Sequence, residues 1–320
     1  MKKLTLLALA IMGMAHAKNL TILTYSSFNS DWGPAPKLSA LFEKECACKI
    51  DWVSSEDSVM MLRRLQLEGK ALDADIILGL DNQSVGEALL TEHVAPLKQA
   101  TTTRFGETQS ALPFDFGYLA FIKRKDAKLP HFASLKDFAE YQEPLTIAIQ
   151  DPRSSSVGSS FLAWTHADGN DSKALWQALR PKIKAMTSGW SEAYGMFTKN
   201  HVDTVLSYTT SPLYHELVEN DTQYEAILFD APHYEQIEYA IVLKHAKEAD
   251  LAQQFMQFLI SPAAQKELAL NNWMYPVVDG VDLPKAFKNA KQPKGINFSS
   301  QETAEKMPKW LEQWRADYLN

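Results

Sequence analysis

Short apolar runs alternate with amphipathic stretches along this chain from residue 20 onward. Continuous apolar runs predict buried strands over 20–25, 49–53 and 74–80, the last reading ADIILGL. Between and after them apolar residues recur three and four apart, as Leu38, Leu41 and Phe42 do, which predicts helices over 37–45, 58–67 and 84–90. This strand–helix–strand rhythm predicts an α/β fold, a largely parallel sheet with helices on both faces. It breaks at 113–122, PFDFGYLAFI, where Phe114, Phe116 and Tyr118 alternate before the apolar content becomes continuous. That segment reads as a long strand leaving one lobe and entering another. A second series follows, with strands over 145–150, 185–187 and 204–207 and helices over 156–166, 173–179 and 191–198. A second long strand over 237–243 carries the chain back, helices over 249–260 and 262–270 complete the first lobe, and 301–320 reads as an amphipathic closing helix. The expected architecture is two lobes, 18–113 with 244–320 and 114–243, joined by two strand crossovers that form a hinge with a ligand cleft between the lobes.

The first seventeen residues address the chain rather than fold it. Lys2 and Lys3 precede an apolar stretch from Leu4 to Met14, and Ala15-His16-Ala17 places small residues where signal peptidase reads. The stretch is shorter than the roughly 20 apolar residues that span a bilayer. Cleavage is expected after Ala17, exporting a chain to the periplasm. No later segment is long and apolar enough to cross a membrane.

Charge narrows the partners. The formal net charge of −7 becomes −9 without Lys2 and Lys3, and the remaining Lys and Arg residues are scattered. A nucleic-acid binder needs a basic footprint, which is missing. An acidic surface favours a cationic ligand. The two cysteines, Cys46 and Cys48, are too few for a zinc site. In an oxidising compartment they are expected to bond to each other and brace a helix-to-strand turn.

Aromatic and small polar residues cluster in four stretches: TYSSFNSDWG from Thr24, SGWSEAY from Ser188, SYTTSPLY from Ser207 and NNWMYP from Asn271. Each follows a strand or lies between a helix and the next element, which is where open α/β folds bind ligands. Any one of these aromatics taken alone is as readily a core or loop anchor. Together they suit a flat, cationic heteroaromatic ligand, through stacking and cation–π attraction. The serines of QDPRSSSVGSS, from Gln150, either cap a helix or offer hydroxyls and amides to an anion. Asp57 either caps the helix that follows it or faces the cleft as a carboxylate matched to a cation.

These segments, with SEDSV, ADIILGLDN and PFDFGYLAF, occur in the order and near the spacings of the periplasmic thiamine-binding proteins of ABC importers, and the chain resembles that family over its whole exported length. The resemblance implies a two-lobed periplasmic-binding-protein fold of type II, with no enzymatic activity and no cofactor. It implies capture of thiamine, thiamine monophosphate and thiamine diphosphate, and delivery to a membrane permease by a monomer. By motif, Tyr25, Trp32, Trp190, Tyr208, Tyr214 and Trp273 match the family's cleft positions, and Asp57 and Ser58 its acidic contact. Ser155 and Ser156 match contacts in the serine loop, and Thr209, Thr210 and Ser211 lie in the matching YTTS segment. Ser58 stands where Gly is frequent, and the serine loop reads Ser-Ser-Ser in place of a Thr-Ser-Thr pattern; both changes keep polar groups available.

Two rival functions share the expected fold. A thiamine-cleaving enzyme needs a cysteine nucleophile at the cleft, and the only cysteines lie just after the first helix. A ferric-ion carrier uses paired tyrosines with His or carboxylate, and no Tyr-Tyr dyad occurs. The family resemblance favours binding of thiamine over both.

Overall fold

The structure is a computed structural model that describes residues 18–319. The expected leader, residues 1–17, lies outside the described residues.

The first series runs β1 (Asn19–Tyr25), α1 (Ala35–Cys46), β2 (Lys49–Ser55), α2 (Ser58–Glu68), β3 (Ile76–Leu80) and α3 (Asn82–Leu89). Then comes the long strand β4 (Ala111–Arg124). The second series is β5 (Ile147–Gln150), α4 (Ser156–Thr165), α5 (Ser172–Leu179), β6 (Ile183–Thr187), α6 (Trp190–Thr198) and β7 (Thr204–Tyr208). The chain returns through β8 (His233–Leu243) and continues with α7 (Ala249–Leu259), α8 (Pro262–Asn271) and α9 (Ser300–Trp314).

The principal strands lie in the order β2-β1-β3-β8-β4-β7-β5-β6. Pairing is parallel at both ends, between β1 and β2, β1 and β3, β7 and β5, and β5 and β6. In the middle β8 and β4 run antiparallel to each other, from Glu235 opposite Tyr118 to Ile241 opposite Ala111. These two strands are the crossovers: β4 pairs with β8 near its start and with β7 from Leu119 to Lys123. Two lobes result, each with its own core. Leu20, Ile22, Phe42, Ile76 and Phe255 share one apolar cluster, and Phe121, Phe138, Phe161 and Trp164 share another. β3 is buried along its whole length, which is why it reads as an unbroken apolar run.

The closing helix α9 departs from its expected place beside the first lobe alone. It packs along α3, yet Met307, Trp310 and Trp314 enter the second lobe's cluster with Phe161 and Trp176. One amphipathic stripe therefore serves both lobes. Ser299 and Glu302 start the helix with a reciprocal capping box.

Cys46 and Cys48 are joined by a disulfide across Ala47, whose φ of 51° ends α1 in the left-handed region and turns the chain into β2.

Candidate ligand-binding site

Strand ends from both lobes meet at one cavity of about 540 Å³. Tyr25 closes β1, Tyr208 closes β7, Asp57 stands just past β2, and Ser156 opens α4 just past β5. Trp32, Trp190, Ser211, Tyr214 and Trp273 complete the predicted residues that line it. Ser58, Ser155, Thr209 and Thr210 are buried behind the lining instead. The expectation that the aromatics sit in loops holds for Trp32 and Trp273. Trp190 begins α6, and Tyr214 ends a single helical turn, Ser211–Tyr214, that continues into a wider turn at His215–Glu219. The small polar residues around these aromatics are helix starts, which resemble loops in sequence.

The aromatic walls are held rigidly. Trp190 stacks on Tyr194, with ring centres 4.8 Å apart and planes at 21°, and its indole Nε1 donates to Ser207 Oγ at 2.8 Å. Trp32, 52% exposed at the rim, approaches Trp190 from the other lobe at 6.5 Å. Trp273 lies against Phe287 at 6.1 Å, nearly parallel at 18°, and meets Tyr214 edge-on at 5.5 Å. Its φ of 58° is unusual for a bulky side chain. Strain of this kind persists only where the surroundings enforce it. Gly79, at φ 105°, lets the Tyr25 ring approach β3 closely: a Cβ there would come within 2.4 Å of the ring.

Asp57 does both things the sequence left open. It caps α2, accepting from the Ser58 amide at 2.7 Å, and it lines the cavity. Across the cleft the same carboxylate accepts from the Ser156 amide at 2.7 Å and from Ser155 Oγ at 3.2 Å. It thus sits at two helix N-termini at once, one from each lobe, where an anion is favoured. Burial pushes its pKa up to about 6, against the pull of the Ser156 and Ser58 amides. Beside it, Ser188 Oγ donates to Glu56 Oε1 at 2.8 Å, a second tie between lobes. Arg153 does not face the cavity: it is paired with Asp151, its guanidinium over Trp314.

Sequence reasoning missed the carboxylates of the hinge. Glu238 on β8 lines the cavity and stands opposite Asp115 on β4 in the strand register. The register breaks between Glu238 and Tyr239, an irregularity of the kind that re-aims a side chain beside a site. Glu238 Oε2 lies 2.8 Å from the Tyr25 hydroxyl, that hydroxyl lies 3.1 Å from Asn272 Oδ1, and Asn272 Nδ2 donates to Asp115 Oδ2 at 2.7 Å. Burial raises the pKa of both carboxyls, that of Asp115 to about 7, and the Asp115 charge raises that of Glu238 further. The signal was an acid within the apolar run of each long strand, Asp115 in 113–122 and Glu238 in 237–243, because Asp and Glu are seldom fully buried without a partner.

Among the described residues, neither Lys nor Arg lines the cavity. Its walls are largely aromatic, and it carries the carboxylates of Asp57, Glu219 and Glu238 among histidine, asparagine, serine and threonine side chains. The volume falls within the roughly 300–1,000 Å³ usual for small-molecule pockets. Neither cysteine reaches the cavity, so no thiol stands where a cleaving enzyme would need its nucleophile.

Comparison with known proteins agrees with this geometry. Residues 34–270 match the family described as bacterial extracellular solute-binding protein. The chain is 39% identical to the thiamine-binding periplasmic protein of Salmonella typhimurium (strain LT2) over 322 residues, covering 98% of each chain. It superposes on a periplasmic thiamin binding protein with a TM-score of 0.90 at 39% identity, covering 97% of this chain and 99% of the other. A ferric binding protein from Campylobacter jejuni superposes with a TM-score of 0.77 at 18% identity, covering 93% and 99%, and shares the two-lobed fold.

Proposed function

Because the chain belongs to the periplasmic thiamine-binding proteins of the bacterial extracellular solute-binding family, we propose that it captures thiamine, and its mono- and diphosphate, and delivers them to the permease of an ABC importer. The observation that carries this reading is a cavity walled by Trp190, Tyr214 and Trp273, lined by the carboxylates of Asp57, Glu219 and Glu238 and, among the described residues, without Lys or Arg. Thiamine matches each part. Its thiazolium is permanently charged, so aromatic faces attract it through stacking and cation–π interaction. Its aminopyrimidine donates and accepts hydrogen bonds, which Glu238 and Asn272 can meet. Its hydroxyethyl or phosphate tail suits the Ser155–Ser156 helix start, where Asp57 now occupies the anion position. The role is binding and hand-over, not turnover.

The two lobes meeting through Asp57 and Glu56 support a cleft that closes over its ligand and opens at the permease. Titration of ligand-free protein with thiamine tests the reading; saturable binding of one thiamine per chain is expected. Export belongs to the same proposal: the periplasmic chain begins at Lys18. N-terminal sequencing of exported protein checks it, and a mature chain that retains Lys2 and Lys3 would contradict it.

A further inference from the structure

The proton count around Tyr25 does not close unless a carboxyl supplies a hydrogen. The Tyr25 hydroxyl has a single hydrogen, yet it touches two acceptors, Glu238 Oε2 at 2.8 Å and Asn272 Oδ1 at 3.1 Å. Turning the Asn272 amide around does not remove the need: its oxygen would then face Asp115 Oδ2, 2.7 Å away, which would itself have to carry the hydrogen. The chain is satisfied if Glu238 carries a proton and donates to Tyr25, Tyr25 donates to Asn272, and Asn272 donates to an ionised Asp115. Asp115 Oδ1 has no hydrogen-bond partner, and Asp115 and Glu238 are 1% and 7% exposed. They face each other on adjacent antiparallel strands, where two like charges repel.

We propose that thiamine capture is proton-coupled: entry of the cationic ligand expels the proton held by the Glu238–Asp115 pair, so that one positive charge replaces another in the cavity. This rests on the thiamine reading above. The proton passes to the solvent. Tyr25 then turns its hydroxyl toward the ionised Glu238, and Asn272 Oδ1 becomes free to accept from the ligand's exocyclic amine. Glu238 lines the cavity, so a cation there acts on it directly. The acids that act on Glu238 are Asp115 on β4, Asp57 before α2 and Asp81 before α3, and the phenols of Tyr25 and Tyr208 close the set. Arg104 lies over Phe116 of β4 and approaches Glu235, which shares β8 with Glu238. Burial holds both hinge carboxyls above their ordinary range, and Asp115 raises Glu238 further, which is the direction required.

By linkage, a proton released on binding makes affinity rise with pH, by roughly tenfold per unit for one full proton. The test is calorimetric titration with thiamine in two buffers of equal pH and different ionisation enthalpy, repeated over about one pH unit either side of the value of about 7 to which burial raises Asp115. Wild type should release up to about one proton and bind more tightly as pH rises. Glu238→Gln, which mimics the protonated form, should release none and bind with little pH dependence, and Asp115→Asn should blunt both effects. Thiamine binding with no buffer dependence and a flat pH profile would overturn the inference and leave the functional reading intact. Undiminished release in Glu238→Gln together with its loss in Asp57→Asn would assign the proton to Asp57 and overturn it as well. Absence of thiamine binding at any pH would sink the functional reading first, and this inference with it.

Discussion

Trp273→Gly should bind thiamine about 5- to 150-fold more weakly than wild type, corresponding to roughly 1–3 kcal/mol for a lost stacked ring with its cation–π attraction. Trp273→Ala should lose about as much affinity. The two variants should nevertheless differ in stability in an unusual order. Trp273 sits at φ 58°, where an alanine keeps the backbone strain and a glycine removes it. The relief is about 1 kcal/mol, and it offsets part of the packing lost against Phe287 and Tyr214. Trp273→Gly should therefore melt no lower than Trp273→Ala, although glycine ordinarily destabilises. The left-handed backbone is what turns this ring into the cavity, so the site holds its strain for binding. Unchanged dissociation constants in both variants would remove Trp273 from the site. A glycine variant melting well below the alanine variant would remove the strain argument.

Asp57 should show the second large effect, and its two substitutions separate shape from charge. Asp57→Ala deletes the α2 cap and both bonds to the opposite lobe. Hydrogen bonds to a charged group contribute about 1.5–3 kcal/mol each, so losing even one from the closed state should weaken thiamine about 10- to 150-fold. Asp57→Asn keeps an oxygen for the Ser58 and Ser156 amides and caps about equally well, so the fold and the tie between lobes should survive. What it removes is the negative charge lodged at the Ser155–Ser156 helix start. A phosphate tail competes with that charge for the same donors. Thiamine should therefore bind Asp57→Asn more weakly, while the ratio of diphosphate to thiamine affinity rises severalfold. Titration of both variants with both ligands measures it. An unchanged ratio in Asp57→Asn would show that the tail lies elsewhere.

Much of the architecture was legible because burial writes itself into periodicity. β3 is apolar at nearly every position because both its faces are covered, and the predicted crossover at 113–122 lies within β4 because its alternation changes where it leaves the first lobe. The aromatic half of the candidate site was legible for a related reason: a Trp beside Gly and Ser marks a loop or a helix start, as at Trp32 and Trp190. The hinge carboxylates were not, because their meeting depends on strand register. Asp115 and Glu238 are more than a hundred residues apart, and only the pairing of β4 with β8 sets them face to face. The double role of Asp57 was hidden likewise, since capping of α2 is a local pattern and the bond to Ser156 is tertiary. The same holds for α9, whose stripe of Met307, Trp310 and Trp314 predicts burial without saying which lobe provides it.

The central claim is that the interlobe cavity receives thiamine, and calorimetric titration of refolded, ligand-free protein tests it most directly. One thiamine per chain is the predicted result, with a dissociation constant at or below about 1 μM, and a change in tryptophan fluorescence that is reduced in Trp190→Ala and Trp273→Ala. No saturable binding up to about 1 mM thiamine, or full binding with an undiminished fluorescence change in both tryptophan variants, would contradict it.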